Sequence, residues 1–188
     1  MQENLNLCHV LDEFMQTLQA ALTESLEYPD NALLTEFDEQ WPSPCVISTD
    51  NNDDQSCWLP VRKTKTTAFD NLEQAVKLTL HPDIKAFYSR YYSDPLNANS
   101  SRGALQLLQV WNDDDFERLQ TNLIGHILMK QRLRQPVTLF FALTDEDDFI
   151  LSVDNASGEV LLEQVGQKAR EVLSPNLATF IQSLQPLI

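Results

Sequence analysis

Three apolar runs, Val137–Leu143, Phe149–Asp154 and Glu159–Val165, lie so close together that they constrain the whole fold. Their connections, Thr144–Asp148 and Asn155-Ala156-Ser157-Gly158, are rich in turn-forming residues. A parallel crossover needs a dozen residues or more, so strands joined this tightly pair as an antiparallel meander. Such a sheet must cover at least one face with apolar surface from another element. Residues 5–26 can supply it, because Leu7, Val10, Leu11, Phe14, Met15, Leu18, Ala21 and Leu22 recur at helical spacing. Residues 113–132 form a second such helix, with Phe116, Leu119, Leu123, Ile124, Ile127 and Leu128 on its inner face. Its acids come first and Lys130, Arg132 and Arg134 come near its end, which complements the helix dipole, and Pro136 stops it. A last helix is predicted with Ser174 as N-cap, Pro175 at its first position, and Leu177, Phe180, Ile181 and Leu184 buried.

Shorter elements fill the interval. Pro29 lies beyond the first helix, and Trp41-Pro42-Ser43-Pro44 is rigid and extended. Cys45–Thr49 and Cys57–Val61 read as strands around a polar turn, Asp50–Ser56. Asp70-Asn71-Leu72-Glu73 reads as a capping box opening a helix to about Leu78. Pro82 opens another, carrying Ile84, Phe87, Tyr88 and Tyr91. Ser93–Gly103 reads as a polar loop and Ala104–Trp111 as a strand. With 43% apolar residues and no repeat or low-complexity linker, residues 1–188 are expected to form a single α+β domain. Its mostly antiparallel sheet is packed with helices, a long one at the N-terminus and another at the C-terminus.

Charge narrows the functions open to such a domain. Lys and Arg number 13 against 28 Asp and Glu, a net charge of −15. That field repels nucleic-acid backbones and anionic headgroups and attracts basic protein surfaces. No apolar run approaches the ~18–20 residues that span a bilayer, and Met1-Gln2-Glu3-Asn4 has no basic region and no cleavable apolar segment after it, so no secretory signal is expected. The three cysteines, Cys8, Cys45 and Cys57, are odd in number and lack C-x-x-C spacing, as expected of small buried thiols in a reducing cytosol.

Chemistry-bearing motifs are sparse. The sequence has no G-x-S-x-G elbow, H-E-x-x-H, P-loop or G-x-G-x-x-G, and its histidines, His9, His81 and His126, fall in separate elements. A binding protein without cofactor or catalytic centre is the expectation. Asp50, Asn52 and Asp54 imitate the start of an EF-hand loop, but Gln55 and Val61 stand where glycine and the bidentate glutamate belong. Asn99-Ser100-Ser101 and Asn155-Ala156-Ser157 read as turn residues, not glycosylation sites. The acidic clusters remain: Glu36, Asp38 and Glu39; Asp50–Asp54; Asp113, Asp114 and Asp115 with Glu117; and Asp145, Glu146, Asp147 and Asp148. Each has a local rationale in a turn or at a helix start. Together they point to a basic partner, because self-repulsion at this charge works against compaction.

Several stretches resemble the Syd family, SecY-interacting proteins of gamma-proteobacteria. Trp41–Thr49 is similar to its N-terminal signature, and Trp111–Arg118 with Asn122–His126 to its central strand–helix motif. Pro136–Phe140 and Ser157–Val160 resemble its meander, and Asn176–Ala178 with Leu184–Ile188 its closing helix. The resemblance runs in detail from Trp41 to the end and more loosely over the first helix. It implies a cytoplasmic protein held loosely at the inner membrane through SecY, the channel subunit of the preprotein translocase. It also implies a SUKH-like α+β architecture and a regulatory or quality-control role in SecY assembly. Cytoplasmic loops of membrane proteins are rich in Lys and Arg, so the charge argument meets the same partner. Binding through an acidic face, no direct lipid binding, and a monomer or weak dimer are the expectations. An immunity-type inhibitor of a basic toxin is the alternative, which a neighbouring toxin gene would favour; a cryptic enzyme would need a perturbed acid or histidine in a deep pocket.

Overall fold

The computed structural model describes residues 5–24, 32–50, 55–65 and 67–188. Its elements are α1 (Leu7–Glu24), β1 (Leu33–Glu36), β2 (Val46–Asp50), β3 (Gln55–Trp58), β4 (Val61–Arg62), α2 (Asp70–Val76) and α3 (Pro82–Arg90). They continue through β5 (Tyr91–Tyr92), β6 (Leu96–Ser100), β7 (Gly103–Leu107), α4 (Asp113–Arg132), β8 (Thr138–Thr144) and β9 (Phe149–Asp154). The chain closes with β10 (Val160–Gln164), β11 (Glu171–Ser174), α5 (Leu177–Gln182) and β12 (Gln185–Pro186). The architecture is α+β.

The meander is the centre of a seven-stranded antiparallel sheet ordered β11-β10-β9-β8-β7-β6-β12. Ile150, Leu151, Ser152 and Val153 of β9 are all buried, so both faces of the sheet are covered at its middle. α4 lies against β8, and α1 packs on α3 and α5. Phe116, Leu119, Leu123 and Ile127 are the buried apolar residues of α4, each worth about 1.5–3 kcal/mol when fully buried. Gly158 closes the β9–β10 turn at φ +80°, a conformation that costs glycine nothing. A small sheet, β1-β3-β2, and the pair β4-β5 complete the fold.

Several details differ from the sequence reading. Ser93–Gly103 is not a loop: β6 pairs with β7 from Leu96↔Leu107 to Ser100↔Gly103. Only Leu96 and Ala98 face the core, and the intervening Asn97 and Asn99 hide the alternation. The strand expected over Cys57–Val61 ends at Trp58; Pro60, which has no N–H to donate, separates β3 from β4. The capping box at Asp70 does not form. Phe69 is the N-cap, and Glu73 reaches forward to accept from Leu80 N and Lys85 Nζ, each at 2.8 Å. Ser174 ends β11, and Asn176 caps α5 by accepting from Thr179 N at 2.8 Å. Tyr91 lies in β5, and Leu128 is 48% exposed. β1 and β11 are additional strands. The turn tip and EF-hand-like positions Asn52 and Asp54 lie outside the described residues; β2 and β3 flank them through Asp50↔Gln55.

Candidate functional site

The proline-rich strap Trp41–Pro44 is fastened to the segment leading into α4 at three points. Trp111 Nε1 donates to the Trp41 carbonyl at 3.1 Å, Asn112 Nδ2 to the Pro42 carbonyl at 2.9 Å, and Ser43 Oγ to the Trp111 carbonyl at 2.6 Å. Two prolines pre-set the strap's extended backbone, so its carbonyls are presented with little ordering left to do. Trp58 of β3 holds the Trp111 ring edge-on at 5.6 Å.

Asp113, Asp114 and Asp115 play three different parts where α4 begins. Asn112 is the N-cap, its side chain accepting from Asp115 N at 2.8 Å. The Asp115 carboxylate reaches back to accept from Trp111 N at 3.0 Å, a reciprocal arrangement like a capping box extended by one residue. Asp113 accepts from the Tyr92 hydroxyl, and burial together with that carboxylate pushes the Tyr92 pKa up to about 12. Asp114 is exposed. All three lie in the first turn, where the dipole favours negative charge.

The strap, the start of α4 and the inner face of the small sheet enclose a groove of about 530 Å³. Thr35, Val46 and Ser56 line its sheet side, and Trp41 and Trp111 form aromatic walls. Glu36, Asp38, Glu39, Asp94 and Asp115 line it, with Arg118 as the basic residue among its described lining. Across the strap, Asp113 and Asp114 line a neighbouring depression with Pro42, Pro44 and Lys65. Six sequence-predicted residues therefore gather around one strap. Glu117 is exposed further along α4 and lines neither hollow.

Asp145, Glu146, Asp147 and Asp148 are exposed in the β8–β9 turn, elsewhere. Asp145 and Glu146 line a separate cavity of about 340 Å³. The strand register explains the separation. Leu105 pairs with Thr144 and Leu107 with Ala142, so β7 runs away from this turn before the chain reaches α4. At ~3.3 Å per residue, Gly103 to Val110 covers about 20 Å.

Asp94 carried no signal in the sequence because it stands alone, outside any acidic run. It is half-buried and accepts from Thr35 Oγ1 at 3.2 Å. Burial raises its pKa above the usual carboxylate range, and the charge of Asp115 adds to the effect.

A second polar cluster lies in the core between α4 and the meander. Lys130 and Glu163 are 1% and 0% exposed, and Nζ stands 2.5 Å from Oε1. This is a charge contact off the line of a directed hydrogen bond, since among the described residues Oε1 has no hydrogen-bond partner. The other oxygen, Oε2, accepts from Thr138 Oγ1 at 2.6 Å and Ser152 Oγ at 2.9 Å. Thr138 gives its only proton to Glu163, so it accepts from His126 Nε2, 3.0 Å away. Burial holds the His126 pKa below its ordinary value, with Glu163 opposing and Lys130 reinforcing the shift. Sealed from solvent, this cluster ties α4 to the sheet. Among the described residues no group of three or more His, Cys, Asp or Glu is placed to hold a metal ion. Among them, too, no helix is long and apolar enough to cross a membrane.

Fold and site together define an α+β domain with an acidic, tryptophan-walled groove. The family model for Syd protein (SUKH-2) matches residues 8–186. Protein Syd of Pseudoalteromonas atlantica is 52% identical over 178 residues, which cover 94% of each chain. Protein Syd of Alteromonas mediterranea is 53% identical over 151 residues, 80% of this chain and 83% of the relative. Protein Syd of Pectobacterium carotovorum is 44% identical over 146 residues, 78% and 79%. The chain belongs to the Syd family.

Proposed function

We propose that this protein binds the SecY subunit of the preprotein translocase by taking its basic cytoplasmic loops into the acidic groove, and so regulates or quality-checks SecY assembly. The observation that carries the reading is the groove's charge: among its described lining residues are five carboxylates and one guanidinium. Membership of the Syd family supports the choice of partner. Cytoplasmic loops enriched in Lys and Arg would be steered into such a groove, while the lipid around them repels a domain carrying −15. Association with the cytoplasmic side of the inner membrane is then peripheral and partner-mediated. The protein docks as a monomer or weak dimer and performs no chemistry on SecY.

Flotation tests this reading. The protein is expected to rise with proteoliposomes that contain SecY and to stay in the soluble fraction with protein-free anionic liposomes. Failure to rise with SecY, or equal flotation on bare lipid at physiological salt, overturns it.

A further inference from the structure

We propose that the groove contains a subsite for one arginine side chain of the partner, and that Arg118 occupies its mouth until that arginine arrives. The inference rests on the docking reading and adds the residue type that anchors it.

The first support is the hydroxyl of Ser56. The residue is 1% exposed, and among the described residues its Oγ has no hydrogen-bond partner. Ser56 stands directly opposite Thr35 in the β1–β3 register, so both side chains leave the sheet on one face, the face that lines the groove. A buried hydroxyl left unpaired is unfavourable, and a donor arriving from the groove relieves it.

Asp94 supplies the charge. Its carboxylate meets the Thr35 hydroxyl, and among the described residues no basic side chain pairs with it. A half-buried carboxylate in this position is stabilised by an incoming cation. Arg118 shows which cation the mouth accepts. Its guanidinium lies 5.3 Å from the centre of the Trp41 ring, and Nη1 is 3.9 Å from Asp115 Oδ1. That contact is too long for a hydrogen bond, and the side chain is 69% exposed, so it can be displaced. Guanidinium fits better than ammonium. Its plane stacks on an indole, and its five N–H donors can serve carboxylates and hydroxyls on several sides, where lysine has three. The strap's hydrogen bonds hold Trp41 and Trp111 in place before anything binds.

The test titrates N-acetylarginine amide into nitrogen-labelled protein and follows the indole signals of Trp41 and Trp111, with the N-acetyllysine and N-acetylcitrulline amides as comparisons. Arginine is expected to shift both signals at lower concentration than lysine, and citrulline to leave them unmoved. Asp94→Asn should weaken arginine binding about tenfold, and Arg118→Ala should tighten it. Asp114→Asn, with the same charge change outside the groove, should stay within about twofold. Ser56→Ala guards against misfolding: it removes an unpaired polar group, so the folded protein persists while arginine binding weakens. Equal responses to arginine and lysine, equal losses from Asp94→Asn and Asp114→Asn, or arginine binding unaffected by Ser56→Ala each overturn the subsite. The same variants are then measured against SecY. If SecY binds but Asp94→Asn behaves as Asp114→Asn, the subsite falls and the docking reading stands. If SecY does not bind the unaltered protein, the docking reading falls and the arginine titration alone decides the subsite.

Discussion

Glu163→Gln is expected to be the most damaging isosteric change in the molecule. It keeps the shape of a fully buried side chain and removes the charge opposite Lys130, which is itself 1% exposed. The ammonium keeps Gln135 Oε1 at 3.1 Å and the Gln167 carbonyl at 2.8 Å, but neither carries charge. Thr138 and Ser152 both donate to one carboxylate oxygen, and the new amide can present its oxygen to them only by turning its NH₂ toward Lys130. Breaking one side of a buried ion pair costs about 3–5 kcal/mol. Against a total stability of about 5–15 kcal/mol, that is a large share. For a domain of this size it lowers Tm by roughly 6–20 °C. Adding Lys130→Met should recover much of the loss, because no uncompensated charge is then left inside. Urea unfolding measures it: the midpoint should fall with the slope unchanged. A loss below about 1 kcal/mol, or a double variant less stable than Glu163→Gln alone, would refute the reasoning.

Three further outcomes follow from the same structure. The buried His126 has a folded pKa below its unfolded value of about 6.5, so the unfolded chain takes up the proton more readily. Its contribution is full above that pH and declines as pH falls below it; His126→Gln should flatten the stability profile between about pH 7 and 5, and an unchanged slope would count against this. Asp12, held below the usual carboxylate range mainly by Arg90 and also by Tyr91, fastens α1 to α3. Its contribution is present above about pH 4 and lost as pH falls through the folded value, and Asp12→Asn should cost about 1–2 kcal/mol, read as lost hydrogen-exchange protection in α1. Gly158→Ala should cost about 1–3 kcal/mol by thermal unfolding, since φ is +80° and a Cβ there would stand 2.6 Å from the His81 ring.

Much of this fold is written in local patterns. α4 begins and ends where the sequence places it, because Asn112, the acidic first turn and Pro136 punctuate a clear apolar stripe. The meander is equally legible from its turns. β6 is not, because its core contacts come from Leu96 and the small Ala98 between polar neighbours. Lys130 lies on the inner stripe, three residues after Ile127, yet nothing local announces Glu163 as its partner across the fold. The candidate site divides the same way. The acidic runs can be read directly, but their grouping depends on the direction of β7 and on the strap. Asp94 and Ser56 stand outside any run, and they matter only once the small sheet has turned Ser56 and Thr35 toward the groove.

On the proposed function, one acidic groove, rather than overall charge, docks SecY. Two charge-matched variants test it most directly. One converts Glu36, Asp38, Glu39 and Asp94, which line the groove, to their amides; the other does the same to Asp145, Glu146, Asp147 and Asp148 in the β8–β9 turn. Affinity for SecY is measured at two salt concentrations, with thermal unfolding alongside to confirm that both remain folded. The groove variant should lose at least about tenfold in affinity and show a shallower salt dependence, while the turn variant stays within about twofold of the unaltered protein. Equal losses in the two variants, or no loss in the groove variant, would contradict the account.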